Sequence, residues 1–161
     1  MIPAVATLTH QKEHIMTKPY QVGFGQRLIN IPFKWLTGRG LGAEYRYVLS
    51  VPGRVTGKQM STPVDVMTTG ARRYLVSGYG EADWVRNARV AGQVELTRGG
   101  RRERLAVHEL DEAAAAPVLH QYVEQVSIMR GQFIARHTDP DDAFLPDTAR
   151  HPVFELTELP A

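Results

Sequence analysis

The sequence predicts a small antiparallel β-barrel flanked by helices, an α+β fold that is mainly β. Three observations predict it. Short β-rich runs recur at residues 45–51, 59–67, 72–77, 93–98, 101–110 and 151–156, about six strands in all. Their separators are of hairpin length: Pro52-Gly53, Thr68-Thr69-Gly70 and Gly99-Gly100. No strand–helix–strand series and no GxGxxG is present, which excludes a Rossmann-type sheet. A helix inserted after the third strand completes a closed, β-centred arrangement.

Length and composition bound what such a barrel does. The 161 residues suit one domain, 1–161, with a buried core and a loose N-terminal arm over residues 1–19. Met16 offers an alternative start, which makes residues 1–15 an upstream extension. Hydrophobic residues make up 43% and charged residues 22%, as in ordinary globular proteins. The net charge of +2 is too small to indicate nucleic acid through bulk electrostatics. With no cysteine, disulfides, thiol catalysis, iron–sulfur clusters and thiolate zinc sites are excluded. No run reaches the roughly 18–20 apolar residues of a membrane-spanning helix. His10, Gln11, Lys12, Glu13 and His14 interrupt any signal-peptide centre, so a cytoplasmic address is the expectation.

Taken in order, residues 20–36 are aromatic and basic, and Pro32 divides them into two short helices. They either pack across one end of the core or form an amphipathic segment touching a membrane surface or an apolar substrate. In the first strand Tyr45, Tyr47, Leu49 and Val51 share a face. The first three strands form a meander. Residues 81–91 read as a helix, with Trp84, Ala88 and Ala91 on one side and Gly92 ending it. In the following hairpin Val94 and Leu96 point one way, and Gln93, Glu95 and Thr97 the other. Asp111 and Glu112 lead into an alanine-rich run, and Pro117 is placed in the first turn of the next helix. Val118, Leu119, Tyr122, Val123, Val126 and Met129 give that helix an apolar stripe that ends at Gly131. Residues 132–150 read as an acidic, solvated loop with Asp139, Asp141, Asp142 and Asp147, before a last strand from His151.

The six histidines are scattered, and His10/His14 have no carboxylate framework, so no metal site is expected. No GxSxG elbow signals a hydrolase. The informative stretch is Ser50 to Asn87. In Gly53-Arg54-Val55-Thr56-Gly57-Lys58, Gly53 and Gly57 admit positive φ and expose N–H groups. Arg54, Lys58 and the Thr56 hydroxyl reach phosphate or carboxylate oxygens. The same hexapeptide also suits a glycine hairpin turn with solvated cations. Pro63 marks a strand edge or bulge. Ser77-Gly78-Tyr79-Gly80 leaves backbone N–H groups able to meet a ring, and Trp84 and Asn87 stand on one side of a helix.

This ordered set, Gly-Arg-x-Ser/Thr-Gly, then x-Pro, a Tyr-Leu-Val-x-Ser/Gly strand and Trp-x-x-Asn-x-Arg/Lys-x-x-Gly, resembles the deazaflavin-dependent nitroreductase family of actinobacterial split β-barrel proteins. The resemblance covers residues 28–110, and more weakly residues 117–130 and 139–156. It implies a hydride-transferring oxidoreductase using coenzyme F420. It also implies that Arg54, Thr56, Gly57 and Lys58 hold the cofactor's phosphate and oligoglutamate tail. Pro63, Ser77, Gly78, Tyr79, Trp84 and Asn87 then line its ring. Tyr79 or Tyr122 is the candidate proton donor to an apolar acceptor such as a quinone, enone or nitroaromatic. Val55 and Met60 stand where relatives carry cations, and the loop 78–83 is short relative to members with a lysine there. Both departures leave other ligands on a similar barrel open: FMN, haem, or a fatty acid bound without catalysis. A monomer and a homodimer are both compatible with such a barrel.

Overall fold

The computed structural model describes residues 43–160. The arm at 1–19, the paired helices at 20–36 and the histidines His10 and His14 lie outside those residues. The described chain runs β1 (Arg46–Pro52), β2 (Gln59–Thr69), β3 (Arg72–Val76), α1 (Asp83–Ala91), β4 (Gln93–Arg98), β5 (Arg101–Glu109) and α2 (Glu112–Gln125). Two 3-10 turns (Ser127–Gln132 and Asp141–Phe144), the short α3 (Leu145–Thr148) and β6 (Val153–Glu158) follow. The six strands close into a barrel in the order β1-β2-β3-β6-β5-β4, every neighbouring pair antiparallel.

Period-two alternation gives the barrel two cores. Leu49, Val51, Val64, Val66, Leu75, Val94, Leu96, Phe154 and Leu156 fill its interior. Val85 and Ala88 of α1 join that interior, and Trp84 packs on Phe154 with ring centroids 5.8 Å apart. The opposite faces of β2, β3 and β6 present Met67, Tyr74, Val76 and Val153 outward, where α2 covers them with Val118, Leu119, Tyr122 and Val123. Each such side chain contributes about 1.5–3 kcal/mol of burial. Tyr45, expected to share a face with Tyr47, Leu49 and Val51, instead precedes β1 and packs on this outer core.

The turns follow their sequence. Gly99 and Gly100 both have positive φ (56° and 77°), which a two-residue hairpin turn of the primed type requires. Gly92 caps α1 in the left-handed conformation and donates to Ala88 O at 2.8 Å.

The α2 region departs from expectation. Asp111 caps the helix by accepting from Ala114 N, so the alanine run is already helical and Pro117 lies in the interior rather than the first turn. Burial of Ala115, Ala116, Val118 and Leu119 outweighs the one hydrogen bond Pro117 removes. The α-helix also stops at Gln125; Met129 is buried from a 3-10 turn that follows. Residues 132–150 are largely exposed, as expected, but they are tied to the core rather than a free loop. Asp147 is fully buried and accepts from Ile134 N (2.8 Å) and Ala135 N (3.0 Å), while Asp141 bonds His120. Among the described residues no helix is long and apolar enough to cross a membrane.

Candidate functional site

At one end of the barrel β2 extends past its partner β3. Val66 N donates to Tyr45 O at 2.7 Å, which makes those two a bonding pair; alternation along the ladder then leaves Val48–Pro63 and Ser50–Ser61 as non-bonding pairs. Pro63 therefore costs β1 no hydrogen bond. Its carbonyl, like the Ser61 N–H and C=O, points to the strand's other side. There β3 stops at Val76, opposite Asp65, so, among the described residues, 59–64 pair with β1 alone. That edge runs past the point where the chain leaves β3 as residues 77–80. Edge placement of Pro63 was legible in the sequence; the edge donor Ser61 was not, because its role depends on where β3 ends.

Residues 77–80 are fixed from below. Ser77 N donates to Pro152 O (3.0 Å), the Ser77 hydroxyl bonds Gly80 O, and Gly80 N returns to Ser77 O (3.2 Å). His151 lies beneath, with Nδ1 3.1 Å from Ser77 O, Nε2 3.1 Å from Gln132 O, and its ring stacked on Phe133 at 4.0 Å. Burial lowers the His151 pKa, favouring the neutral ring, which carries one N–H for the two carbonyls.

Gly78 is required by close approach. A Cβ there would lie 2.5 Å from the Tyr122 hydroxyl and 2.7 Å from Met129 Cε. Tyr122 in turn donates to Asp65 Oδ2 (3.0 Å), and Arg46 Nε donates to Asp65 Oδ1 (3.0 Å). Burial first, then the Asp65 charge, pushes the Tyr122 pKa far above its ordinary value, so the hydroxyl stays protonated. The two tyrosines named as donors thus differ: Tyr122 is buried and bonded to Asp65, whereas Tyr79 is 58% exposed on the rim.

The basic turn is built differently from a backbone cradle. Gly53 N bonds Lys58 O (2.9 Å), Gly57 N bonds Gly53 O (2.8 Å), and Lys58 N bonds the Thr56 hydroxyl (3.3 Å). Arg54 N bonds Asn87 Oδ1 (3.1 Å). These N–H groups are engaged within the protein, so an anion meets chiefly the side chains. Arg54 Nη1 also bonds Asn87 Oδ1 (3.0 Å) and stands 3.3 Å from Asp83 Oδ1. Lys58 is exposed and has no ion-pair partner among the described residues.

The structure thus gathers Arg54, Thr56, Gly57, Lys58 and Asn87 at one end, and Pro63 with Ser77, Gly78 and Tyr79 at the other. Trp84 is half-buried and packs against the inner core at Phe154. Asp65, Asp83 and His151 were not evident from sequence, since their partners lie 57, 29 and 74 residues away. Cations at one end and a proline-bearing strand edge with a closely packed glycine at the other fit a flat ligand with an anionic tail.

A model of the F420H(2)-dependent quinone reductase family matches residues 26–139. No curated protein matches the chain. A solved structure described as a domain-swapped dimer is similar in fold, at 14% identity and TM-score 0.51, covering 82% of this chain and 92% of that one. An F420-H2 dependent reductase (FDR-A) is similar at 14% identity and TM-score 0.49, covering 70% and 93%. The heme storage protein HutZ from Vibrio cholerae follows at 14% and 0.48, covering 73% and 83%.

Proposed function

Because the chain belongs to the F420H(2)-dependent quinone reductase family, and is thus an oxidoreductase, we propose that it binds reduced F420 along that β2 edge and reduces an apolar acceptor there. The cofactor, when bound, supplies a hydride donor on a planar ring. The protein's own part is placement and exclusion of water. Lys58, Arg54 and the Thr56 hydroxyl take the anionic tail. Pro63, Ser77, Gly78 and Tyr79 border the ring, with Trp84 and Asn87 holding α1 against that site. Tyr79, exposed on the rim, gives a proton to the reduced acceptor in this reading, while Tyr122 keeps the Gly78 backbone in position. The acceptor class is a quinone, an enone or a nitroaromatic, and residues 20–36 are the segment that meets it or a lipid surface.

One observation carries this reading: the stretch of β2 that, among the described residues, pairs with β1 alone beside residues 77–80, with the basic turn at its end. Titration of the purified protein with F420, FMN and a fatty acid tests it. Submicromolar F420 binding, followed by oxidation of the reduced form by menadione, is expected. Absence of F420 binding would sink it, and FMN binding in its place would reassign the cofactor. The 87% exposed Val55 and 47% exposed Met60, apolar where cations are expected, favour a second reading: a binder of F420 or of a fatty-acyl ligand without catalysis. Tight F420 binding with no oxidation by any acceptor class would establish it.

A further inference from the structure

The surroundings of Arg54 run against a simple anion-binding role. Its guanidinium already has acceptors on it. Asn87 Oδ1, on a residue 3% exposed, accepts from both the Arg54 backbone N–H and Nη1, at 3.1 and 3.0 Å. Asp83 Oδ1 lies 3.3 Å from Nη1 and 3.4 Å from Nη2. Asp83 and Asn87 are four apart on α1, so one helix face meets the guanidinium twice.

The two contacts differ in kind. Asn87 is neutral and buried; it fixes where the guanidinium lies without changing its charge. The Asp83 side chain is 72% exposed and ionic, and it offers Arg54 the same type of oxygen as an arriving carboxylate or phosphate. A ligand anion can reach these N–H groups only by displacing the Asp83 carboxylate or by sitting beside it against its charge. Lys58 carries no such competitor among the described residues.

We infer that Asp83 is an internal competitor for Arg54, that Asn87 is the positioning residue holding Arg54 in reach of it, and that the pair favours multiply charged anions over singly charged ones. A singly charged anion gains little by taking the place of the singly charged Asp83 carboxylate. An anion with several charges engages Lys58 and Arg54 together and outcompetes Asp83. The identity of that anion as the F420 tail rests on the function proposed above; the competition itself does not.

Asp83→Asn tests this, since it removes the charge, preserves the shape and lies on the surface. F420 binding, followed by deazaflavin fluorescence, should tighten about fivefold at low ionic strength, and the gain should vanish in high salt. Inorganic triphosphate, which has no ring, should show the same gain, and Arg54→Ala should cost more affinity in the Asp83→Asn background than in the parent. Asn87→Ala should weaken both ligands at either salt, with its unfolding midpoint measured alongside. Unchanged or weaker binding of both ligands by Asp83→Asn overturns the inference even if Asn87→Ala fails to fold. A gain for triphosphate with no F420 binding by any variant leaves the competition standing and removes F420 as its ligand.

Discussion

At the scale of single residues, Gly78 shows how closely the site loop and the outer core are fitted. The atoms a Cβ would strike are a rigid phenol hydroxyl and a methionine methyl. Met129 can move its terminal methyl, but Tyr122 is held by Asp65 and packs against Phe133 with centroids 5.9 Å apart. Gly78→Ala should therefore destabilise the protein by about 1–3 kcal/mol, as overpacking does. Tyr122→Phe alone removes a bond to a carboxylate and should cost about 1.5–3 kcal/mol. In the double variant the hydroxyl that obstructs the new methyl is gone. The two costs should then sum to more than the measured total in urea unfolding, because residues in contact do not behave additively. Strict additivity would show that the loop moves away instead, with Tyr122 taking no strain.

At the scale of elements, two histidines bind neighbouring segments to the barrel with opposite dependence on pH. His120 on α2 meets Asp141 in the second 3-10 turn at 2.6 Å, with Glu124 at 3.8 Å and the Phe144 ring stacked at 5.0 Å. The bond to Asp141 raises its pKa, so its stabilisation is complete below the unfolded value of about 6.5 and fades as pH rises through the folded value. His151 is lowered by burial, so its contribution is complete above about 6.5 and fades as pH falls toward its folded value. His120→Gln should abolish the alkaline decline and His151→Gln the acidic one, as read from unfolding midpoints between pH 5 and 8.5. Loss of both declines in either single variant would refute the separation. Elements of this kind were only partly legible beforehand. Strands and hairpins announced themselves through alternation and glycine turns. The start of α2 did not, because an interior proline in an alanine-rich run is tolerated here for reasons of packing. The fixed path of residues 132–150 was equally hidden, since it hangs on Asp147, whose acceptors' partners are backbone N–H groups that no side-chain pattern reveals.

At the scale of the whole molecule, the same physics limits what the sequence tells of the site. Gly53–Lys58 and Ser77–Gly80 stand out by composition, so the segments of the proposed site were legible. Its wiring was not: Arg54 finds Asn87 33 residues on, and Tyr122 finds Asp65 57 residues back. Only closure of the barrel brings such partners together. Closure also ties the two cores to one another, because Leu75 points inward and Val76 outward from the same short β3. Leu75→Ala in the interior and Leu119→Ala in the outer core should each cost about 2–5 kcal/mol. Neither core should melt alone, since losing either one releases β3 and opens the barrel. Trp84 reports the interior once Trp35, the other tryptophan, is changed to phenylalanine. In that background Leu119→Ala, in the other core from the one Trp84 packs on, should shift the fluorescence and far-UV circular dichroism midpoints by the same amount. A dichroism transition that moves ahead of an unshifted fluorescence transition would mean that α2 detaches from an intact barrel, and that residues 77–80 can lose their underside while the proposed cofactor edge of β2 stays in place.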